Sequence, residues 1–336
     1  MAVKKVLKRF KRVKINRRSV VVFAIVVLGA TFLVSSRAAT FSVGFEAENG
    51  TKVGVTPITD SLASAGSATQ FGTATSSDPL GVSKKCSQLT NLKFCDDFDG
   101  AAGTYPDNAK WNVFQSGSSW GSHCWRKSPE TISMDGQGVL KMSMFDTGSV
   151  LCTDYYGKQS KIASAGMDTG GGRFVTNQGK FEIRAKLSCA TGVWGSIWTS
   201  GATAPWPTQG EIDIWETMDG NLKRIKHTVH AGADSGSGYW KDGGYYLLPS
   251  GERFCDNFHV YAIEWRNGYI QFMVDGVNSW RIDKSDTPSG KLWPFDTGQH
   301  RILITFQYGA VDPPRGLLSP NDLPTSMLID YVRVYN

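Results

Sequence analysis

The amino-acid sequence predicts an all-β protein, built as a β-jelly-roll sandwich of two antiparallel sheets. Three observations on residues 86–336 lead to this prediction: apolar and polar residues alternate with period two, helical periodicity is absent, and turn signals recur along the stretch. Short strands without helices are typical of two sheets packed face to face. A stretch of this length also buries a core large enough to be stable by itself.

Four segments show the strand pattern most clearly. In GKFEIRAKLS (179–188), every second residue is apolar and the residues between them are polar. In residues 258–282, an Asn-Gly and an Asp-Gly dipeptide separate three strand-like runs, and such dipeptides supply the positive φ angles that tight hairpin turns require. Residues 300–308 and 327–335 are predicted to be two further strands.

The positive charge of the chain is confined to its N-terminus. The net charge is +6, but residues 1–38 contain ten Lys or Arg and no acidic residue, which leaves 26 basic and 30 acidic residues in the remainder. Nucleic-acid binding needs a basic face on the folded domain. The charge distribution therefore excludes a nucleic-acid-binding function.

Residues 1–38 are predicted to be a signal peptide or a membrane anchor. A basic segment is followed by a 15-residue apolar run at 20–34, and the small residues Ser36 and Ala38 stand where a signal peptidase would read them. The apolar run is shorter than the roughly 20 residues that cross a bilayer, which favours a signal peptide. We therefore expect a protein that is secreted or anchored to the outer face of the cell membrane.

Residues 39–85 are predicted to be a linker or a truncated carbohydrate-binding-like segment. Their richness in Ser, Thr, Gly and Ala is typical of a linker in an exported protein. The pieces FEAENGT and DSLASAGSATQFG also resemble the opening strands of small carbohydrate-binding jelly rolls, but the segment is too short for that whole module.

The cysteine content predicts structural disulfides, because an exported chain folds in an oxidising compartment. Three bridges between six cysteines allow fifteen connectivities, and pairing of sequence neighbours, beginning with Cys86–Cys95, is favoured. The chain has no CxxC motif and no Cys/His cluster at zinc spacing, so a zinc site is not expected. The six cysteines are Cys86, Cys95, Cys124, Cys152, Cys189 and Cys255.

Three carboxylates stand within six residues of an otherwise apolar run in WPTQGEIDIWETMDG (206–220). On a strand, Glu211 and Asp213 share one face, and the isoleucines that follow each of them point into the core. Regular alternation would then place Trp215 on the carboxylate face and bury Glu216 among apolar groups. A β-bulge with Trp215 as the extra residue returns Glu216 to the face of the other two carboxylates. The sequence therefore predicts a bulge between Asp213 and Glu216.

Such a group of carboxylates suits glycoside hydrolysis. A retaining reaction needs two carboxyl groups about 5–5.5 Å apart, whereas an inverting reaction needs about 6.5–9.5 Å. Glu211 and Glu216 can lean toward each other, and Asp213 between them would hydrogen-bond to one and keep the proton on the other by charge repulsion.

Tryptophans near these carboxylates favour the interpretation as a sugar cleft over that of an ordinary solvated strand face. Indole faces pack against the apolar faces of sugar rings, although some tryptophans of any such group belong to the core. The tryptophans nearest to the carboxylates are Trp194, Trp198, Trp206, Trp215 and Trp240.

Together, WPTQGEIDIWE, FHVYAIEW and MLIDYVRVY resemble glycoside hydrolase family 16, and in particular its laminarinase-like branch with the E-x-D-x-x-E motif. The resemblance extends from FCDDFDG (94–100) to the last residue. It implies that 86–336 is a glycoside hydrolase catalytic domain of the concanavalin A-like lectin/glucanase type, with a sugar cleft across its concave sheet. It also implies retaining endo-hydrolysis of β-glycans by a monomer, with no cofactor for catalysis.

The resemblance also implies roles for individual residues. Glu211 would be the nucleophile, Glu216 the acid/base and Asp213 the assisting carboxylate. Trp206 matches a tryptophan that lines the cleft in that family. His230 matches a histidine on the neighbouring strand and is expected to bind substrate, with a histidine packed and hydrogen-bonded within the sheet as the alternative. Trp194, Trp198 and Trp240 complete the set expected to bind substrate.

A structural calcium ion is a further implication of the resemblance. Asp97 and Asp330 match its ligand positions in that family, and oxygen ligands suit this ion. The alternative is a pair of acids at strand ends.

The expected substrate is a β-1,3-glucan or a mixed β-1,3/1,4-glucan. The E-x-D-x-x-E spacing resembles that of laminarinases, agarases and carrageenases, and a mildly acidic, tryptophan-rich domain favours a neutral glucan over a sulfated galactan. WGSIW (194–198) and LITFQYGA (303–310) depart from the laminarinase pattern, so the glucan itself stays open. A wall-remodelling transglycosylase and a non-catalytic glucan-recognition protein are the alternatives, although the second class has lost carboxylates that this chain retains.

Overall fold

The structure is a computed structural model that describes residues 82, 84–118, 121–217, 221–309 and 322–336, and the backbone of two short strands at 56–59 and 67–70. The chain divides into two units, Met1–Ser77 and Asp78–Asn336. The predicted signal peptide or membrane anchor, residues 1–38, lies outside the described residues. Where the structure describes the chain, no helix is both long enough and apolar enough to span a membrane.

In the first unit, the described residues form one antiparallel ladder. Strand β1 (Thr56–Thr59) pairs with β2 (Ser67–Gln70), with Thr56 opposite Gln70. The interpretation of 39–85 as a linker or a truncated carbohydrate-binding-like segment stays a prediction.

The described part of the second unit is almost entirely β-structure, with two short 3₁₀ helices at Cys86–Gln88 and Lys284–Asp286. Its strands are β3 (Leu92–Asp96), β4 (Asn112–Val113), β5 (Cys124–Trp125), β6 (Ile132–Met134), β7 (Leu140–Asp146), β8 (Cys152–Thr153), β9 (Gln159–Ser160), β10 (Ile162–Ser164), β11 (Gly166–Asp168), β12 (Gly179–Lys186), β13 (Val193–Gly201), β14 (Glu211–Glu216), β15 (Arg224–Ala231), β16 (Trp240–Leu247), β17 (His259–Arg266), β18 (Tyr269–Val274), β19 (Val277–Asp283), β20 (His300–Tyr308) and β21 (Thr325–Tyr335).

Two large sheets contain nearly all of these strands. The first has ten strands, in the order β19-β18-β17-β12-β21-β7-β10-β5, with β3 also paired to β21 and β6 to β7. The second has seven strands, in the order β16-β15-β14-β13-β20-β11-β4, and β8 and β9 form a separate hairpin. Pairing is antiparallel except between β5 and β10. The prediction of an all-β jelly-roll sandwich of two antiparallel sheets is confirmed.

The hydrophobic core lies between the two large sheets. Strand β12 contributes Phe181, Ile183 and Ala185, the alternating residues that the sequence pattern predicted to be buried. From the second sheet, Trp215 on β14 places its ring 5.4 Å from the ring of Tyr261 on β17. Burying this apolar area stabilises the sandwich by about 25 cal/mol per Å². The opposite face of β14 is thereby left to carry polar groups.

Three disulfides connect neighbouring cysteines, as predicted. Cys86–Cys95 ties the first 3₁₀ helix to β3, Cys124–Cys152 ties β5 to β8, and Cys189–Cys255 ties the segment after β12 to the segment before β17. Each bridge limits the conformations of the unfolded chain and so favours the folded state.

Candidate active site

A β-bulge interrupts β14 between two of the three carboxylates, as the sequence predicts. Against β13, Trp215 lies opposite Ile197 and Asp213 lies opposite Trp198, so Ile214 has no partner. The prediction that Trp215 is the extra residue is therefore wrong. Both bulge residues are buried, so apolar patterning could not tell which of them the ladder omits.

The bulge determines where the third carboxylate points. Against β15, Ile214 and Trp215 together face His227, whereas a regular strand would present one residue there. The extra residue restores the alternation, and Glu216 therefore lies on the same face of the sheet as the other two carboxylates.

That face carries a cleft of about 450 Å³. All three carboxylates line it, together with tryptophans, hydroxyl groups and basic side chains. The lining residues are Trp194, Ser196, Trp198, Ser200, Trp206, Glu211, Asp213, Glu216, Lys226, Thr228, His230, Tyr239, Lys241, Arg301 and Gln307.

A second cavity, of about 640 Å³, lies away from these carboxylates, and two of its lining residues are Glu130 and Asp146. Among the described residues no tryptophan lines it, and its two acids are not gathered on one strand, so the cleft on β14 is the better candidate for carbohydrate chemistry.

Glu211 begins β14 at one end of the cleft. Its Oε2 accepts a hydrogen bond from Trp206 Nε1 at 2.9 Å. Trp206 as a residue is 41% exposed, and its ring centroid lies 5.4 Å from that of Tyr239. Trp206 therefore contacts the carboxylate through its N–H while much of its ring stays open to the cleft.

Glu216 is held from two neighbouring strands. Its Oε1 accepts a hydrogen bond from Trp194 Nε1 on β13 at 3.0 Å, and its Oε2 accepts one from Thr228 Oγ1 on β15 at 3.3 Å. Both oxygens have donors, so the rotamer of this side chain is fixed within the cleft.

Asp213 lies between the two glutamates and beside His230. His230 Nε2 is 3.2 Å from Asp213 Oδ2 and 3.8 Å from Glu211 Oε1, while His230 Nδ1 is 2.7 Å from Tyr239 Oη. Burial raises the pKa of Tyr239 to about 12, so its O–H stays protonated and donates to Nδ1. Burial also lowers the pKa of His230, so the neutral ring carries its proton on Nε2, facing the carboxylates.

This tautomer bears on metal binding. The ligand atoms of Glu211, Asp213 and His230 lie within 4.8 Å of one another, but a protonated Nε2 is not a metal ligand. The arrangement favours a hydrogen-bonded carboxylate cluster over a metal centre.

Burial raises the pKa values of all three carboxyl groups. The pKa of Glu211 is raised well above its ordinary value by burial and then by the charge of Asp213, and the pKa of Asp213 is raised well above its own by burial and then by Glu216. The pKa of Glu216 is raised by burial and lowered in part by His230 and Lys226. Because neighbouring buried carboxylates cannot all ionise together, the cluster retains protons.

Most of the residues predicted to bind substrate line this cleft. Trp194, Trp198, Trp206 and His230 all lie there, with Trp198 Nε1 donating to Thr305 Oγ1 at 3.1 Å. Their contact with sugar stays a prediction.

The prediction for Trp240 is wrong, because this side chain belongs to the core. Trp240 is buried, its Nε1 donates to Leu292 O at 2.8 Å, and its ring stacks on Trp293 with centroids 6.4 Å apart. Strand register gives the reason: His230, on the cleft face of β15, pairs with Lys241, so alternation turns Trp240 inward.

Sequence reasoning missed several lining residues. Lys226 and Thr228 stand four and two residues before His230 on the same strand, so period-two alternation could have found them. Tyr239 and Arg301 come from other segments of the chain, and only the fold brings them to the cleft.

Asp97 and Asp330, the expected calcium ligands, each face an arginine. Asp97 Oδ2 accepts the backbone N–H of Cys86 at 2.5 Å, and its Oδ1 lies 3.6 Å from Arg333 Nη2. Asp330 Oδ2 accepts a hydrogen bond from Arg184 Nη1 at 2.5 Å. Calcium would need the oxygens that these cations already contact. The two carboxylates as arranged therefore do not fit a calcium ion.

Comparison with known proteins gives a consistent set of relatives. The sequence profile named Glycosyl hydrolases family 16 matches residues 123–310. A beta-glucanase of Rhodothermus marinus is 32% identical over 257 residues, covering 73% of this chain and 84% of the relative. Glucan endo-1,3-beta-glucosidase A1 of Niallia circulans is 28% identical over 272 residues, covering 73% of this chain but 38% of the relative. The solved laminarinase catalytic domain from Thermotoga maritima is 28% identical, with a TM-score of 0.61 over 73% of this chain and 97% of that one.

Proposed function

Because the chain belongs to glycosyl hydrolases family 16, we propose that it is a retaining endo-glycosidase that cleaves β-1,3-glucans or mixed β-1,3/1,4-glucans by double displacement. One observation carries the proposal: the bulge in β14 places Glu211 and Glu216 on one face of one cleft, and each accepts an indole N–H. The named activities of the relatives support the glucan as substrate.

In this mechanism Glu211 is the nucleophile. Its carboxylate attacks the anomeric carbon and forms a covalent glycosyl-enzyme, while the leaving sugar takes a proton. Nucleophilic attack requires the ionised form, which the hydrogen bond from Trp206 stabilises.

Glu216 is the acid/base. Burial raises its pKa, so it carries the proton that the leaving oxygen takes in the first step. As a carboxylate it then accepts a proton from the water that hydrolyses the glycosyl-enzyme, which restores the starting state.

Asp213 affects the protonation of the neighbouring Glu211. Its side chain is 4% exposed against 15% for Glu211, and no N–H of tryptophan donates to it among the described contacts. The hydrogen bond with Glu211 lowers the pKa of Asp213, and the negative charge of Asp213 raises the pKa of Glu211, so the two carboxyl groups share a proton. When the shared proton lies on Asp213, Glu211 is ionised and can attack the anomeric carbon.

Two of the three lysines and arginines described at the cleft are balanced by acids of the protein and so do not argue for an anionic substrate. Lys226 pairs in the ladder with Glu216 and lowers its pKa, and Arg301 Nη1 lies 3.5 Å from Asp168 Oδ2. Their charges offset acids of the protein, which leaves the tryptophan-rich surface for a neutral sugar chain.

The test is incubation of the full chain with laminarin, lichenan, agarose, xyloglucan and a sulfated galactan. We expect new reducing ends from laminarin or lichenan, products that keep the β-anomeric configuration by NMR, and loss of activity in Glu211→Gln and Glu216→Gln. Glu130→Gln, at an exposed acid outside the cleft, is the matched control. Full activity in Glu211→Gln would overturn the proposal, and redistribution of chain lengths without a net gain of reducing ends would instead identify a transglycosylase.

A separate proposal concerns location. We propose that residues 1–38 direct export, leaving a monomeric enzyme that is secreted or held at the outer face of the membrane. The three disulfides support an oxidising compartment. Fractionation of cells that produce the full chain, with N-terminal sequencing and size-exclusion chromatography of the product, tests these points.

A further inference from the structure

One buried histidine holds the backbone just before Glu211. His300 Nε2 lies 2.6 Å from the backbone oxygen of Gln209, two residues ahead of Glu211, and His300 Nδ1 lies 2.9 Å from Thr199 Oγ1. A carbonyl oxygen can only accept, so Nε2 carries the proton and Nδ1 accepts the threonine O–H. Burial lowers the pKa of His300 to about 4, so this neutral tautomer persists at neutral pH.

A second buried histidine makes the same contact before Glu216. His227 Nδ1 lies 2.6 Å from the backbone oxygen of Ile214, two residues ahead of Glu216, and His227 Nε2 lies 2.9 Å from Ser279 Oγ. Nδ1 therefore donates and Nε2 accepts. Burial lowers the pKa of His227 to about 4. Ser279 belongs to β19 of the opposite sheet, so this histidine connects the bulge to the other half of the sandwich.

Both carbonyls stand where a regular ladder does not supply a donor. Gln209 precedes β14, and Ile214 is the residue that the ladder with β13 omits. A buried carbonyl without a donor carries a desolvation cost that destabilises the fold. Each imidazole removes that cost and fixes the orientation of one peptide plane. The side chain two residues later takes its direction from that plane.

We propose that His300 and His227 are positioning residues, one for each glutamate, that set the reacting geometry through the backbone without touching the sugar. Neither histidine lines the cleft. The inference rests on the proposed function, because it assigns His300 to the nucleophile and His227 to the acid/base.

The two assignments predict different kinetic defects. His300→Phe and His227→Phe keep a ring of similar size and remove the N–H donor. A misplacement of about 1 Å in a reacting group costs roughly 100-fold in rate. We therefore expect kcat/KM on laminarin to fall by about 100-fold in each variant.

A substrate with a leaving group that needs no proton separates the two roles. On the 2,4-dinitrophenyl glycoside of a β-1,3-linked glucose disaccharide, kcat/KM reports the first step alone. The kcat/KM of His300→Phe should fall by about the same factor on this substrate as on laminarin, because the nucleophile is misplaced. On the same glycoside, the kcat/KM of His227→Phe should stay within about threefold of the wild-type value. Its kcat and KM should fall together, because only the base-assisted second step is slowed.

Conservative variants and a control distinguish positioning from stability. An Asn amide places its nitrogen near Nδ1 of a histidine and a Gln amide near Nε2. His227→Asn and His300→Gln should therefore restore activity, whereas His227→Gln and His300→Asn should not. His123→Phe is the matched control: His123 is equally buried and its Nδ1 accepts the N–H of Tyr308.

Equal activity of the two phenylalanine variants and His123→Phe, with melting temperatures above the assay temperature, would overturn the inference. If the phenylalanine variants do not fold, equal activity of the Asn and Gln variants at each position would overturn it. Activity in Glu211→Gln would overturn the proposed function instead, so the two failures are distinguishable.

Discussion

Trp206 donates its indole N–H to Glu211 at 2.9 Å, while the residue remains 41% exposed and lines the cleft. One side chain thus stabilises the charged form of the proposed nucleophile and leaves a flat surface exposed on which we expect a sugar to pack. Trp194 makes the equivalent bond to Glu216 at 3.0 Å from the neighbouring strand. In the proposed mechanism these two glutamates need opposite protonation states, so removal of each indole should affect the opposite limb of the pH profile.

Trp206→Phe should move the acidic limb of the kcat/KM profile to higher pH. Burial raises the pKa of Glu211 and the Trp206 N–H opposes that rise, so losing the N–H raises the pKa further. A charge-assisted hydrogen bond of this kind corresponds to a shift of about 1 pH unit. Profiles of wild type, Trp206→Phe and Trp206→Ala on laminarin measure it. Only the alanine variant should also raise KM strongly, and an unchanged acidic limb in Trp206→Phe would contradict the assignment of Glu211.

Trp194→Phe should extend the basic limb instead. Burial raises the pKa of Glu216 and the Trp194 N–H opposes that rise, so without it the acid keeps its proton to higher pH. The basic limb should move up by about 1 pH unit while the acidic limb stays in place. The same profile measures this shift. A shift of the acidic limb would mean that the two glutamates have exchanged roles.

Strand geometry explains which features of this site could be predicted from the sequence and which could not. The bulge and the common face of the three carboxylates were predictable. In a regular strand residues 1, 3 and 5 share a face, so Glu216, the sixth residue counted from Glu211, lies on that face only if one residue is inserted. The wrong prediction for Trp240 has the same origin: its face depends on its register against β15, which the local sequence does not determine. Tyr239 and Arg301 were not predictable, because their place at the cleft follows from which strands are neighbours.

Chelation should leave the stability of the protein unchanged. Asp97 contacts Arg333 and Asp330 contacts Arg184, so both carboxylates have their charges offset without an ion. Thermal unfolding of the full chain in EDTA and in millimolar calcium should give the same melting temperature. A melting temperature that rises with calcium in the wild type but not in Asp330→Asn would show that the ion displaces Arg184 and that the family's calcium site is retained.

Three buried histidines should make the protein less stable in mild acid. Burial lowers the pKa of His123 to about 3 and those of His227 and His300 to about 4, from an ordinary value of 6.5. Between pH 6.5 and these lower values the unfolded chain binds protons that the folded chain does not, so the free energy of unfolding falls as pH falls. Each such histidine contributes a slope of up to about 1.4 kcal/mol per pH unit in that window. The raised pKa values of the cleft carboxyl groups oppose this slope, because there the folded chain binds the additional protons.

His123→Phe isolates the histidine contribution, because this residue lies outside the cleft and its removal leaves the carboxyl groups in place. Urea unfolding of wild type and variant at several values between pH 4 and 7 should show a shallower decline in the variant, by up to about 1.4 kcal/mol per pH unit. Parallel curves would mean that His123 is protonated equally in the folded and unfolded states, contrary to its complete burial. A steeper decline in the variant would require the opposite sign of linkage and would assign the acid sensitivity to groups other than the buried histidines.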